Sequence, residues 1–233
     1  MFDAHVHLDF MSNGEQVAAD ARAAGVRMLS GTVTPAGYVA ARERFAPYDN
    51  VDLGLGLHPW WVEVDRANAQ RDVEAFLALL PGTPFVSEVG LDFGKRHLET
   101  RDAQLAAFRC IAQACASAGG KTMSIHAVHA AREAIDILEE TGALETCTCI
   151  FHWFTGPSDQ LKRAIDARCL FSVGLRMLAT GKGREYVKAI PADRLLTETD
   201  APPEQGQPYA FSDLRNALAR VAEGIEEIKM KGR

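Results

Sequence analysis

Residues 1–10, Met1-Phe2-Asp3-Ala4-His5-Val6-His7-Leu8-Asp9-Phe10, decide how the rest of the chain is read. Side chains on a strand alternate between its faces, so Asp3, His5 and His7 share one face while Ala4, Val6 and Leu8 share the other. Two imidazoles on one side of a strand end can converge on a single cation. A pair of hydrogen-bonded core histidines is the competing reading of this short motif taken alone. Either way the stretch predicts a first strand whose polar side chains look inward.

Seven further short apolar runs follow, at 26–33, 51–58, 85–92, 122–128, 146–153, 170–175 and 195–200. Between them lie helical spacings, such as Val73, Phe76, Leu77 and Leu80 before Pro81-Gly82, and Leu105, Phe108, Ala112 and Cys115 before Gly119-Gly120. Ser12 and Glu15 have the spacing of a capping box ahead of the first helix, and Gly25 and Gly142 suit helix ends. A last helix carries Leu214, Leu218, Val221, Ile225 and Ile228 on one face. Eight strand and helix alternations without a compositional break predict an α/β protein, a single (β/α)8 TIM-like barrel spanning residues 1–233 as one domain. A doubly wound open sheet is the alternative, but it would want a glycine-rich phosphate loop after an early strand, and none is present.

The 233 residues are 47% hydrophobic and 24% charged, which excludes disorder and small disulfide scaffolds. With 25 basic and 31 acidic residues the net charge is -6, so no basic arm advertises a polyanion, although a metal ion or a local cationic rim can still bring one to a cleft. Five cysteines, an odd number inside apolar runs, suit reduced thiols in a cytoplasm. The first ten residues carry charge where a signal peptide needs an apolar core, and no run has transmembrane length. The expectation is a cytoplasmic protein that does not meet a membrane.

The polar residues gather at strand ends. Glu88 falls near the end of the fourth strand, His126 of the fifth and His152 of the sixth, and Asp200 closes the eighth. Barrel active sites assemble at these C-terminal ends, where residues distant in sequence meet around one cavity. Five of the seven histidines (His5, His7, His58, His126 and His152) fall there, and so many ionisable groups at one rim call for a cation. Imidazoles with carboxylates suit one or two divalent ions such as Mg, Mn or Zn. Cys147 and Cys149 have the opposite parity to His152, and Cys110 and Cys115 lie in a helix, so the thiols read as packing groups. Trp60, Trp61, Phe93, Trp153 and Phe154 stand near the rim, either to stack on bases or to pack under loops. Lys95, Arg96, Arg101, Arg176, Lys182 and Arg184 also follow strand ends. Each could meet a phosphate, but taken singly reads first as a solvated surface charge.

Together, His5-x-His7, Gly56-Leu57-His58-Pro59, Glu88-Val89-Gly90-Leu91-Asp92, Ser124-Ile125-His126, Phe151-His152-Trp153-Phe154-Thr155-Gly156 and Glu198-Thr199-Asp200-Ala201-Pro202 resemble the motifs of TatD-type metal-dependent deoxyribonucleases. The likeness runs in order from the first strand to the eighth. Gly119-Gly120-Lys121 through His126, and Phe171-Ser172-Val173-Gly174 with Lys182-Gly183-Arg184-Glu185, resemble more particularly the TatD-like nuclease component of Qat antiphage defence systems. The resemblance implies two divalent ions, with His5, His7, Glu88 and Asp200 around one and Glu88, His126 and His152 around the other. It implies phosphodiester hydrolysis in DNA, with 3′-to-5′ exonuclease action as one form, and partner proteins of a defence assembly. Glu88 would bridge the ions and Asp200 is the candidate general base. His58, Asp92, Trp153 and Glu198 would contact substrate or support the ligands. The chain departs from the family pattern at Val128, where an arginine is common, so a phosphate contact there is either absent or supplied by His129 or another basic residue. It is also short after Pro203, with Glu204-Gln205-Gly206-Gln207-Pro208 in place of a longer segment.

Two other readings compete. An amidohydrolase-like enzyme would open a C–N or ester bond in a small molecule, but many such barrels bridge their metals with a modified lysine where this chain has Glu88. A metal-bound, non-catalytic subunit of a defence assembly is the third, and the complete ligand set argues against it.

Overall fold

Each of the eight apolar runs forms a strand in the computed structural model, which describes residues 1–231. The strands are β1 (Phe2–Val6), β2 (Arg27–Gly31), β3 (Val51–Gly54), β4 (Phe85–Asp92), β5 (Thr122–Val128), β6 (Thr148–His152), β7 (Leu170–Val173) and β8 (Leu195–Thr197). The helices are α1 (Gly14–Ala23), α2 (Pro35–Phe45), α3 (Arg66–Leu79), α4 (Arg101–Ala118), α5 (Ala131–Glu140), α6 (Ala143–Thr146), α7 (Ser158–Asp166), α8 (Leu175–Leu178), α9 (Gly181–Ala189) and α10 (Phe211–Lys231). Among the described residues, no helix is long and apolar enough to cross a membrane.

Neighbouring strands pair in parallel, β1 to β2 to β3 and β4 through β8. A single bridge from Leu55 to Val86 joins the two arcs, with Leu55 N–H donating to Phe85 O (3.0 Å) and Ser87 N–H to Leu55 O (3.0 Å). The ring closes between β8 and β1. There Glu198 N–H still donates to Val173 O on β7 (3.0 Å), but two residues on Asp200 N–H donates to His5 O (2.9 Å) and Ala201 O accepts from His7 N–H (2.7 Å). The eighth strand therefore ends at Thr197 rather than at 200, because the chain switches partners from β7 to β1. Likewise the third ends at Gly54 rather than 58, leaving the β2 ladder to reach β4. The result is the expected (β/α)8 barrel.

Buried Asp3 holds this closure. Its Oδ1 accepts from Thr199 N–H (3.0 Å) and its Oδ2 from the Thr199 hydroxyl (2.6 Å), while the Thr197 hydroxyl donates to Phe2 O (2.6 Å). Burial raises the Asp3 carboxyl to about 6 even against these hydrogen bonds.

The alternation read from residues 1–10 recurs around the ring. Ala4, Val6, Met123, Ile125, Cys149, Phe151, Phe171 and Val173 are buried against the helices, whereas Asp3, His5, Ser124, His126, His152 and Ser172 occupy the opposite face. Cys149 and Phe151 thus sit on the outward face, as parity required. Cys115 and Cys169 are buried and Cys110 is exposed, all as free thiols. The helix ends at Gly25, Gly119 and Gly142 have positive φ.

One local expectation fails. The capping box of Ser12 and Glu15 does not form; α1 begins at Gly14 after Asn13, and the Glu15 carboxylate takes both arms of Arg44 at 2.8 Å instead. The loop after β8 is the reason. Ser12 N–H donates to Gln207 O (3.1 Å), and the Asn13 amide is bonded to the backbone of Tyr209 (3.0 and 2.9 Å). A tertiary contact thus claims the residues that local capping would use.

Candidate metal centre

Strand β4 is where the centre is made. Its register against β5 shifts between Val86 and Val89, and Glu88 has φ +53 at that irregularity. Glu88 therefore lies mid-strand in a bulge rather than near the strand end, which aims its carboxylate into the ring. Ser87 turns inward too, into space that Gly31 and Gly54 leave open, since a β-carbon on either would stand 2.5 Å from its side chain. The strand then passes close to β5 at Gly90 (φ +138), where a β-carbon would lie 2.1 Å from His126 O.

The carboxylate of Glu88 is ringed by imidazoles. Its Oε1 lies 3.0 Å from His5 Nε2 and 3.1 Å from His7 Nε2. Its Oε2 faces His58 Nε2 at 3.5 Å and His126 Nδ1 and His152 Nε2 at 3.7 Å each, and no hydrogen bond reaches it. His5 and His152 stack with centroids 4.0 Å apart, and His126 Nδ1 is 3.2 Å from His152 Nε2. Asp200, at the solvent-facing edge with its side chain 22% exposed, stands 3.8 Å from His7 Nε2. Ligand atoms of His5, His7 and Asp200, of His5, Glu88 and His152, and of His58, Glu88 and His126 each gather within 4.8 Å.

Hydrogen bonds around the rings set which nitrogens face inward with a lone pair. His7 Nδ1 lies 2.9 Å from Gly31 O and so carries the proton, leaving Nε2 bare. His126 Nε2–H donates to Asp92 Oδ2 (3.2 Å), leaving Nδ1 bare toward Glu88. His5 Nδ1 is 2.9 Å from the Ser124 hydroxyl. His58 is different. Its Nδ1 accepts from Trp60 N–H (3.0 Å), so the neutral ring carries its proton on Nε2 and offers the mouth an N–H rather than a lone pair.

The electrostatics match this packing. Burial alone would lift the Glu88 carboxyl, but the imidazoles of His58, His5 and His152 hold it well below the carboxylate range. Burial opposes charge on His5, yet Glu88 outweighs it and raises the ring to about 9. Burial pushes His58 down to about 3 and His152 well below its ordinary value. Asp92 is held low despite burial by His126, by the Trp60 indole N–H (2.6 Å) and by Gly94 N–H (2.7 Å). Four buried imidazoles, those of His5, His7, His126 and His152, around one carboxylate with an unpartnered oxygen are harder N and O donors that fit divalent cations of the Zn, Mn or Mg type.

Eight of the ten residues singled out in the sequence line one mouth of about 540 Å³: His7, His58, Glu88, Asp92, His126, His152, Trp153 and Asp200. His5 lies fully buried beneath them. Glu198, also buried, accepts from the Ser172 hydroxyl and sits 4.0 Å from His152 Nδ1, beyond hydrogen-bond distance of a nitrogen that has no hydrogen bond; burial raises the Glu198 carboxyl to about 8. Of the rim aromatics, Phe154 packs beneath the loops on Phe151 and Phe171, while Trp60 and Trp61 stay 53% and 39% exposed at the mouth. Ser124, the Gly31 carbonyl and the Trp60 indole are supports that single motifs did not reveal. Ser124 carried a signal, sharing the face of His126 two residues away, and so did Trp60 as a rim aromatic, but the Gly31 carbonyl carried none.

A parallel barrel with this cluster opening at its C-terminal mouth around a mid-strand Glu88 has the architecture of a metal-dependent hydrolase. The family model described as TatD related DNase matches residues 2–231, and the chain belongs to that family. It is 30% identical over 244 residues to YabD of Bacillus subtilis, an uncharacterized metal-dependent hydrolase, across 98% of this chain and 91% of that one. It is 31% identical over 215 residues to the 3′-5′ ssDNA/RNA exonuclease TatD of Klebsiella pneumoniae, across 87% and 78% of the two chains. In fold it resembles the TatD homologue YjjV of Escherichia coli, with a TM-score of 0.73 at 22% identity over 100% of this chain and 95% of that one.

Proposed function

We propose that this enzyme hydrolyses phosphodiester bonds in DNA with two divalent ions, one held by His5, His7, Glu88 and Asp200 and the other by Glu88, His126 and His152. The observation that carries the reading is Glu88, whose two oxygens each face a separate set of imidazoles, Oε2 without any hydrogen bond. Bound there, such ions supply Lewis acidity, which lowers the pKa of water and offsets charge growing on phosphoryl oxygens. Asp200 is the general base, because it is the carboxylate of the cluster that reaches the solvent-facing edge. His58 offers its Nε2–H to a phosphate oxygen, and Asp92 keeps the His126 proton on Nε2. Trp153, with Trp60 and Trp61, gives bases a surface to stack on. Glu198 lies beneath His152, 4.0 Å from its Nδ1, in a supporting place behind the ligands.

Exonuclease action from a 3′ end is part of the reading, supported by the name of the Klebsiella relative. So is service in a Qat antiphage system with partner proteins, supported by the stretches at 119–126 and 171–185. A cytoplasmic setting goes with it and suits the free thiols. The test is cleavage of end-labelled single- and double-stranded DNA by chelated enzyme, with Mg, Mn and Zn restored separately. Metal-dependent product ladders that Glu88→Ala lacks are the expected result. No cleavage with any metal, alongside hydrolysis of amide or lactone substrates, would overturn the nuclease reading in favour of a small-molecule hydrolase.

A further inference from the structure

A strand of DNA brings a negative charge for every nucleotide to a mouth that already holds Glu88, Asp92 and Asp200, on a chain of net charge -6. Divalent ions at the centre would offset the charge of the reacting phosphate, and a fixed cation at the rim would receive the backbone beyond it. At the end of β5 the mouth is lined by Ala127, Val128 and His129, which supply no permanent charge. The lysines and arginines that follow strand ends are mostly committed elsewhere. Lys182 Nζ donates to Thr155 O (2.9 Å), Arg184 to Leu178 O (2.8 Å) and Arg101 to Glu133 (3.2 Å). Among the described residues, Arg176 is the only lysine or arginine lining the mouth.

Arg176 sits in α8, the single turn that follows β7. Its guanidinium lies 5.5 Å from the ring centroid of Trp153, and Nη1 is 3.7 Å from Asp200 Oδ2. That separation is an ion pair without a hydrogen bond, and among the described residues the guanidinium makes none, so its N–H fork is available. The side chain is 59% exposed, and the Trp153 face limits where it can swing. Beside it a second cavity of about 250 Å³ shares Trp153, Arg176, Asp200 and Pro203 with the mouth, leaving room for a nucleoside next to a phosphate on the guanidinium.

We propose that Arg176, held against Trp153, is the residue that grips a backbone phosphate of the strand entering the mouth, in place of any cation at the end of β5. The proposal rests on the nuclease reading. Its test compares wild type, Arg176→Ala and Arg176→Lys in two measurements. The first is anisotropy of a fluorescein-labelled oligothymidylate with metal-free protein over a salt series. The second is steady-state cleavage of the same oligonucleotide by the metal-loaded enzyme. Arg176→Ala should weaken binding and raise KM roughly 10- to 100-fold, the size expected for a charge-assisted contact. It should also flatten the dependence of log Kd on log salt by about 0.7, the share of one single-strand phosphate. Arg176→Lys should recover the salt slope but only part of the affinity, having the charge without the fork. Metal content should be unchanged in all three proteins. An active wild type whose Arg176→Ala variant keeps its KM and salt slope overturns the clamp alone. A wild type that neither binds nor cleaves the oligonucleotide overturns the nuclease reading, and the clamp with it.

Discussion

Replacing Gly90 by alanine should damage fold and metal centre together. The residue has φ +138, a region that side chains avoid, and holding it there costs about 1–3 kcal/mol. The new β-carbon would also stand 2.1 Å from His126 O, 3.0 Å from its carbonyl carbon and 3.1 Å from its nitrogen. All three are backbone atoms, so no side chain can swing away, and β4 and β5 must separate by about an ångström; overpacking of that kind adds about 1–3 kcal/mol. A sum of about 4 kcal/mol corresponds to a fall in Tm of roughly 8–16 °C for a chain of this length. Gly25→Ala is the control, since its φ is +68 and nothing lies within 4 Å of its β-carbon; it should lose only about 1–2 kcal/mol. Urea unfolding of the metal-free proteins gives the two differences, and metal content after dialysis reports whether His126 has moved. A Gly90→Ala protein as stable as Gly25→Ala, with its metal retained, would refute the claim that β4 and β5 must touch there.

Thr199→Val removes the 2.6 Å hydroxyl bond to Asp3 at the barrel closure and should cost about 1–3 kcal/mol in urea unfolding, because a buried carboxyl loses a donor; a loss under about 0.5 kcal/mol would mean that the closure does not depend on it. With a thiol reagent at pH 8, native protein should label at exposed Cys110 and more slowly at Cys147. Cys115 and Cys169, pushed up to about 12 by burial, and Cys149, raised well above its usual value, should react only in denaturant. Rapid labelling of all five in native protein would contradict the packing. The Glu15 carboxyl is held below its ordinary value by hydrogen bonds from Arg44, so its contribution is present above the unfolded pKa and lost as pH falls through the lower folded value. Glu15→Gln should therefore cost no more than about 1 kcal/mol near neutral pH, the pair being solvent-exposed, and less in acid; a difference that grows in acid would have the wrong sign.

Much of the molecule was legible in the sequence because strand alternation is a local property. His-x-His at residues 5 and 7 put both rings on the polar face, and the parity of Cys147 and Cys149 against His152 separated packing thiols from ligands. Eight alternations were enough for the barrel, and the barrel alone brings together groups as distant in the chain as His5 and Asp200. What residue order could not determine was anything set by contacts between strands. The bulge that aims Glu88, the partner switch that ends β8 early, and the loop that claims Ser12 and Asn13 all depend on neighbours far along the chain. The same holds for the proton positions on His7, His58 and His126, which follow from Gly31 O, Trp60 N–H and Asp92. It also holds for Arg176, one of several rim cations in the sequence, which only the packing of Trp153 and Asp200 distinguishes from the rest. Periodicity sets which face a side chain occupies, whereas the atoms it meets there are fixed by long-range hydrogen bonds and close packing that exist only once the ring has closed.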